Sequence, residues 1–263
     1  MYAQTILGNR VQLIYTGKRQ GNFSPKVGGG IFNPRIDPIR GILGGSGFIF
    51  SPRLGFTTRW IEVGETREWT LPEQWFWRSA EPADGVILSP PKDGVDEVVE
   101  PIPHSGVVGF NADCPFGVIL WPDGRLGFCH LGLECVLPKD ESPGILDTAG
   151  LEPGCVVHLT AGIGPCCYGR NGGGFDYVFK RFPEVRGDIA TRGLRKGQPS
   201  LDLHKLILLV LMPHNIDTIS VSTSCTACAV TPDGTRLYYS NVADRGTPDE
   251  GGRNCVAVWR IAP

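Results

Sequence analysis

The sequence predicts an α/β chain folded as one domain over residues 1–263, made mainly of short strands in mixed, mostly antiparallel sheets with helices outside them. Three observations carry that reading. Gly 36 and Pro 22 fall between short apolar runs, which implies many turns and brief strands. The stretch "SLDLHKLILLVLM" (200–212) has the caps and the apolar content of a helix. No internal repeat, heptad pattern or linker divides the chain, and 263 residues with 41% hydrophobic content can bury a substantial core.

Up to about residue 60, "VQLIYTG" and "GGSGFIFSP" are short apolar runs separated by Gly- and Pro-rich stretches. The cluster Gly28–Gly30 reads as a turn, because it lacks both the Lys-Ser/Thr ending of a phosphate loop and the GxGxxG spacing of a dinucleotide fold. Residues 69–84 are aromatic-rich. "GVILS" then reads as a strand and "PPKDGVDEVVEPIPHSG" as a loop with an edge strand. "GVVGFNADC" and "FGVILW" are buried strands, "PDG" is a turn, and "RLGFCHLG" is the return strand. "GCVVHLTAGIGPCCYG" is a strand running into a loop, and "GGGFDYVFKRFPEV" becomes amphipathic after its glycines, as a helix does. In "SLDLHKLILLVLM" Ser200 is the expected cap, Asp202 sits in the first turn and Pro213 follows the end. "DTISVSTSCTACAV" and "CVAVWRIAP" read as closing strands.

Several function classes are disfavoured by composition. A formal charge of −2 offers no basic field for nucleic acid. The longest apolar run, Leu206–Met212, is far too short to span a bilayer, so no membrane partner is expected. The start "MYAQTILGNRVQLIYTGKRQ" is unlike a secretory signal. Nine cysteines, an odd number and mostly within apolar runs, argue against a disulfide framework and for a reducing, cytoplasmic setting.

The segment "ADCPFGVILWPDGRLGFCHLG" (112–132) carries the sharpest chemistry. With the turn at Pro122–Gly124, facing residues sum to 246, so Trp121 faces Arg125 and Phe116 faces His130. Cys114 precedes Phe116 by two residues and therefore shares its face, and that of His130. Such diagonal neighbours lie roughly 7–8 Å apart at the backbone. At that distance a thiol and an imidazole can converge on one ion, or simply pack. Pro115 cannot donate to a ladder, so the strand can end or bulge there. Cys129 points to the other face, towards core.

These residues also carry a resemblance. "ADCPFGVIL" followed by His-Leu-Gly resembles the "ADC-x-P … H-A-G-W" core of the multicopper-polyphenol-oxidase-like, or laccase-domain, family. "ADGVILSPPKDG" is similar to that family's "DALVT" strand, "GIGPCCYG" to its "IGPCCYEV" loop, and "SLDL … NIDTISVSTSCT" to its "LDL" helix followed by a strand ending in Cys-Thr. "YYSNVADRGTPDEGGR" resembles its "FFSYRRD … TGR" end. The pieces recur in order over roughly residues 74–261.

The resemblance implies a layered fold and activity as a purine nucleoside phosphorylase with adenosine deaminase function, a transferase and hydrolase acting on a nucleoside and phosphate. It also implies a catalytic zinc held by two histidines and a cysteine. Cys114 takes the cysteine's place and His130 the second histidine's, while Phe76, in "EQWFWRS", stands where the first histidine belongs and cannot ligate zinc. The third ligand is left to His104 or Cys225. Arg245 and Arg253 are the matching substrate-binding candidates. "HLGLEC" lacks the family's tryptophan and arginine.

Cys166 and Cys167, adjacent in sequence, cannot both aim at one ion from a regular strand and read as loop packing; Cys225 and Cys228 form a lone CxxC. His158 and His204 read as structural. The alternatives are a metal-free relative acting as a binding or interaction protein and, implied by the family's older name, a copper-dependent phenol oxidase. One cysteine and one or two histidines do not make a multicopper centre.

Overall fold

Apolar side chains alternate along the strands, and the alternation sorts them onto two stacked sheets. In the computed structural model the described residues are 2–8, 10–24, 49–63, 69–73, 76–90, 106–169, 173–187 and 199–261. Gly28–Gly30, His104 and most of the expected edge strand after residue 90 lie outside them. In chain order the first eight strands are β1 (Tyr2–Ile6), β2 (Val11–Tyr15), β3 (Ile49–Arg53), β4 (Trp60–Glu62), β5 (Trp69–Glu73), β6 (Phe76–Pro82), β7 (Gly85–Leu88) and β8 (Gly106–Asn111). They are followed by β9 (Phe116–Leu120), β10 (Leu126–His130), β11 (Val156–Leu159), β12 (Arg186–Gly187), β13 (Ser200–Leu201), β14 (Thr218–Val221) and β15 (Asn254–Arg260).

One sheet has the order β1-β2-β15-β8-β3-β6-β5 and the other β14-β11-β9-β10-β7-β4; β12 and β13 form a separate ribbon. Most pairings are antiparallel. β3 with β6 and β8, β4 with β7, and β11 with β14 are parallel. The fold is therefore α/β with mixed, mostly antiparallel sheets, as the sequence predicts.

Period-two alternation explains the layers. Leu13, Val107, Val256 and Val258 of the first sheet meet Val86, Phe116, Val118 and Phe128 of the second in one shared core. Their chain neighbours Ile14, Val108 and Ala257 turn to the outer face of the first sheet and pack with Phe23. Ile119, Cys129, Val157 and Leu159 turn to the outer face of the second, where the helices lie. β9 is buried at every residue because it has β10 on one side and β11 on the other. Gly109 permits the closest approach of the two sheets. A Cβ there would come within 2.4 Å of Phe116, whose ring stacks on Phe128 at 4.5 Å.

The helices are α1 (Leu133–Val136), α2 (Asp176–Arg181) and α3 (Leu203–Leu211). α3 buries Leu203, Leu206, Ile207 and Leu211, a single face at helical spacing. Each contributes roughly 1.5–3 kcal/mol relative to exposure. Its cap is Asp202, whose carboxylate accepts from the Lys205 amide at 3.0 Å, and not Ser200 as expected. Ser200 is committed to β13, paired with Gly187, which delays the helix by two residues. After Leu211 a turn of 3-10 helix containing Pro213 ends in left-handed Asn215. No helix among the described residues is long and apolar enough to cross a membrane.

Candidate functional site

The hairpin register is the one the sequence predicts. Phe116 faces His130, and the Trp121 amide donates to the Arg125 carbonyl at 3.0 Å. Gly124, with φ 85°, closes the turn. Pro115 does not end the approach: it needs no amide there, because its carbonyl accepts from the Leu131 amide at 2.9 Å. The strand edge thus runs back towards Cys114, whose carbonyl is held by the Asn111 side-chain amide at 2.6 Å. The Cys114 thiol lies near enough to the His130 ring to act on it electrostatically. Cys114 is half-buried and His130 is buried, so the pair is open to solvent from the cysteine side.

His130 is held by a residue that sequence reasoning did not single out. Asp84, directly before β7, accepts the His130 amide on its backbone carbonyl and lies 2.7 Å from Nδ1 through Oδ1. The pairing of β7 with β10 brings the two together. The second carboxylate oxygen accepts from the Gly55 amide (3.2 Å), the Thr57 amide (2.7 Å) and the Thr57 hydroxyl (3.0 Å). Burial works against the Asp84 charge, but the His130 ring and these amides outweigh it and hold the carboxyl below its usual range. Burial likewise opposes a charged His130, yet Cys114, Asp84 and Cys135 together raise it well above the ordinary histidine value. Phe56 lies edge-on to the ring at 5.4 Å.

Asp84, His130 and the Cys135 thiol of α1 form a compact trio of possible metal donors. The geometry argues for a different division of labour. Two ligands of one tetrahedral zinc lie about 3.3 Å apart. At 2.7 Å, Oδ1 and Nδ1 share a proton. A carboxylate that fixes one ring nitrogen is the usual outer partner of a metal-binding histidine. Nε2 is then the ring atom left for a ligand beside Cys114. The compact donor group at this point is Asp84, His130 and Cys135, and Cys114 lies outside it.

Next to Cys114, Asp113 is buried. It accepts from the hydroxyls of Thr226 (3.0 Å) and Ser240 (2.6 Å) and from the Val242 amide (3.0 Å). Burial pushes its carboxyl up to about 6 against these bonds. The Arg253 guanidinium, bonded to Asn241 and the Gly252 carbonyl, is near enough to interact electrostatically with both Asp113 and Cys114.

The other candidates are distributed differently. Arg245 is exposed. Cys225 groups with Cys166, Cys167 and Cys228, and not with His130. Cys166 and Cys167 lie in a turn and pack with Cys225 and Cys228 in a small cluster, the loop packing expected of them. His158 bonds to Ser220 (2.8 Å) and His204 to the Thr160 carbonyl (3.0 Å), structural roles as expected. Phe76 heads β6; its side chain lies outside the description, as does His104. Asp84 and Asp113 were visible only as members of "ADG" and "ADC", each a carboxylate beside a buried run.

No protein-family model and no curated protein matches this chain. Solved structures do. Neisseria meningitidis protein NMB0706, of family DUF152, superposes with TM-score 0.62 at 15% identity, over 96% of this chain and 95% of that one. Geobacillus stearothermophilus YlmD gives 0.62 at 18%, over 96% and 92%. Bacillus licheniformis YfiH, described as a hypothetical protein, gives 0.60 at 18%, over 94% and 92%. The chain has the fold of these proteins.

Proposed function

We propose that the protein is an enzyme acting on purine nucleosides, as a phosphorylase or deaminase, with Cys114 and His130 supplying two ligands of a zinc centre. One observation carries the reading: a half-buried thiol lies close enough to act electrostatically on an imidazole whose Nδ1 is locked by a buried carboxylate. Bound zinc would supply a Lewis acid at this point. Asp84 fixes the tautomer and orientation of His130. Arg253 offers the positive charge a phosphate requires, and Asp113, near pH 6, can hold or release a proton beside Cys114. Arg245, which is exposed, is a second candidate cation for the substrate.

A second reading is favoured by one feature. The family's tryptophan-containing segment is here Leu131 and Leu133, both buried in core, and Phe76 replaces a ligand. Those changes suit a metal-free relative that binds a partner or small molecule without turning it over. Copper-dependent phenol oxidation is disfavoured by the donor set.

The readings separate in one assay. Inosine and adenosine are incubated with and without phosphate, and free base or deaminated nucleoside is measured alongside zinc and copper content. Turnover by the native chain that is lost in Cys114→Ala and His130→Ala supports the enzyme. Turnover unchanged in both variants removes the site assignment. No turnover on either nucleoside, with a zinc content that Cys114→Ala and His130→Ala leave unchanged, supports the second reading.

A further inference from the structure

Away from His130, four thiols converge on one point. Cys166 and Cys167 come from the turn after β11, and Cys225 and Cys228 from the turn after β14. All four sulfurs lie within 4.8 Å of one another, with Cys166 and Cys228 at 3.5 Å. None of the other buried cysteines joins this group: Cys129, Cys135 and Cys155 lie in the helix-side core and Cys255 on the outer face of the first sheet. We propose that Cys166, Cys167, Cys225 and Cys228 form a structural zinc site of four thiolates that staples these two turns together.

The geometry suits that ion. Zinc–sulfur bonds of about 2.3 Å in a tetrahedron place sulfurs roughly 3.8 Å apart, so the cluster needs little contraction. Cys225 and Cys228 have the CxxC spacing, and the amide of Ala227, two residues on, donates to the Cys225 sulfur. The Gly164 amide donates to the same sulfur from the other turn at 3.2 Å. Amides aimed at sulfur stabilise thiolate over thiol.

The turns are already in register. Gly162 bridges Cys225, the Thr226 amide donates to the Gly162 carbonyl at 3.0 Å, and the Cys167 amide donates to the Gly164 carbonyl at 3.0 Å. Ile163 and Ala227, with the half-buried Tyr168 and Ala243, supply an apolar surround on the protein side. Binding would release the thiol protons and leave a tetrathiolate whose negative charge those amides offset.

Such a staple has a consequence for the first site. Ile163 donates its amide to the Asp113 carbonyl at 2.7 Å, and Thr226 donates its hydroxyl to Asp113 Oδ1. Both turns therefore buttress the residue beside Cys114.

The test uses the full chain, purified under reducing conditions without chelator. In Cys114→Ala/His130→Ala protein, which lacks the first site, elemental analysis is expected to find about one zinc per chain. Its cobalt-substituted form should show intense sulfur-to-cobalt charge-transfer absorption and the visible bands of tetrahedral cobalt. Cys166→Ser/Cys228→Ser protein should lose that metal and that spectrum while Cys114 and His130 remain. If this second variant fails to fold, the cobalt spectrum of the first still decides. Iron in place of zinc, no metal, or no charge-transfer band in Cys114→Ala/His130→Ala protein would overturn the site, whatever the nucleoside assay shows.

Discussion

At the scale of single residues, the His130–Asp84 contact determines what the candidate site can do. The imidazole is inside the protein, and a buried ring carrying charge needs a partner. Asp84 supplies it, and its other oxygen ties down the 55–57 loop. Asp84→Ala removes the partner and leaves His130 uncompensated. The expected loss is about 3–5 kcal/mol of unfolding free energy by urea titration. Asp84→Asn keeps the shape but changes which nitrogen of His130 bears the proton, and should reduce zinc affinity or turnover roughly 10–100-fold with little change in the urea midpoint relative to the alanine variant. The Cys114–His130 pair was legible in the sequence because one turn sets the register of a single hairpin. Asp84 was not, because it reaches His130 through a pairing of strands 46 residues apart.

Among the elements, strand β11 carries a pH response. His158 sits between Ser220 of β14 and Gln4 of β1, and burial lowers its folded-state value to about 4. The unfolded chain takes up that proton near 6.5. Between those values only the unfolded chain binds it, so acidification favours unfolding. Stability from this residue is intact above about pH 6.5 and declines towards pH 4, by up to about 3 kcal/mol. Urea midpoints measured across that range should fall in the native chain and fall less in His158→Gln.

The cap of α3 belongs to the same scale. The sequence reading placed it at Ser200, but Ser200 first completes a two-residue ribbon with Gly187, and a backbone paired there cannot begin a helix. Asp202→Ala should cost about 1 kcal/mol in thermal or urea unfolding, whereas the side chain of Ser200 contributes no cap.

For the whole molecule, the decisive contact is sheet on sheet. Gly109 lies where β8 passes over the stacked rings of Phe116 and Phe128. Gly109→Ala must push those rings or separate the sheets, an overpacking cost of about 1–3 kcal/mol read as a lowered Tm. The strands, the hairpin register and the mixed, mostly antiparallel character were determined by the sequence alone, because each follows from period-two alternation and nearby turns. The tertiary structure alone decided that Asp84 orients His130, that Cys225 joins Cys166, Cys167 and Cys228, and that Arg253 stands near Cys114. Those outcomes depend on which distant strands become neighbours, and alternation within a strand states only which face a side chain takes, not what will be brought against it.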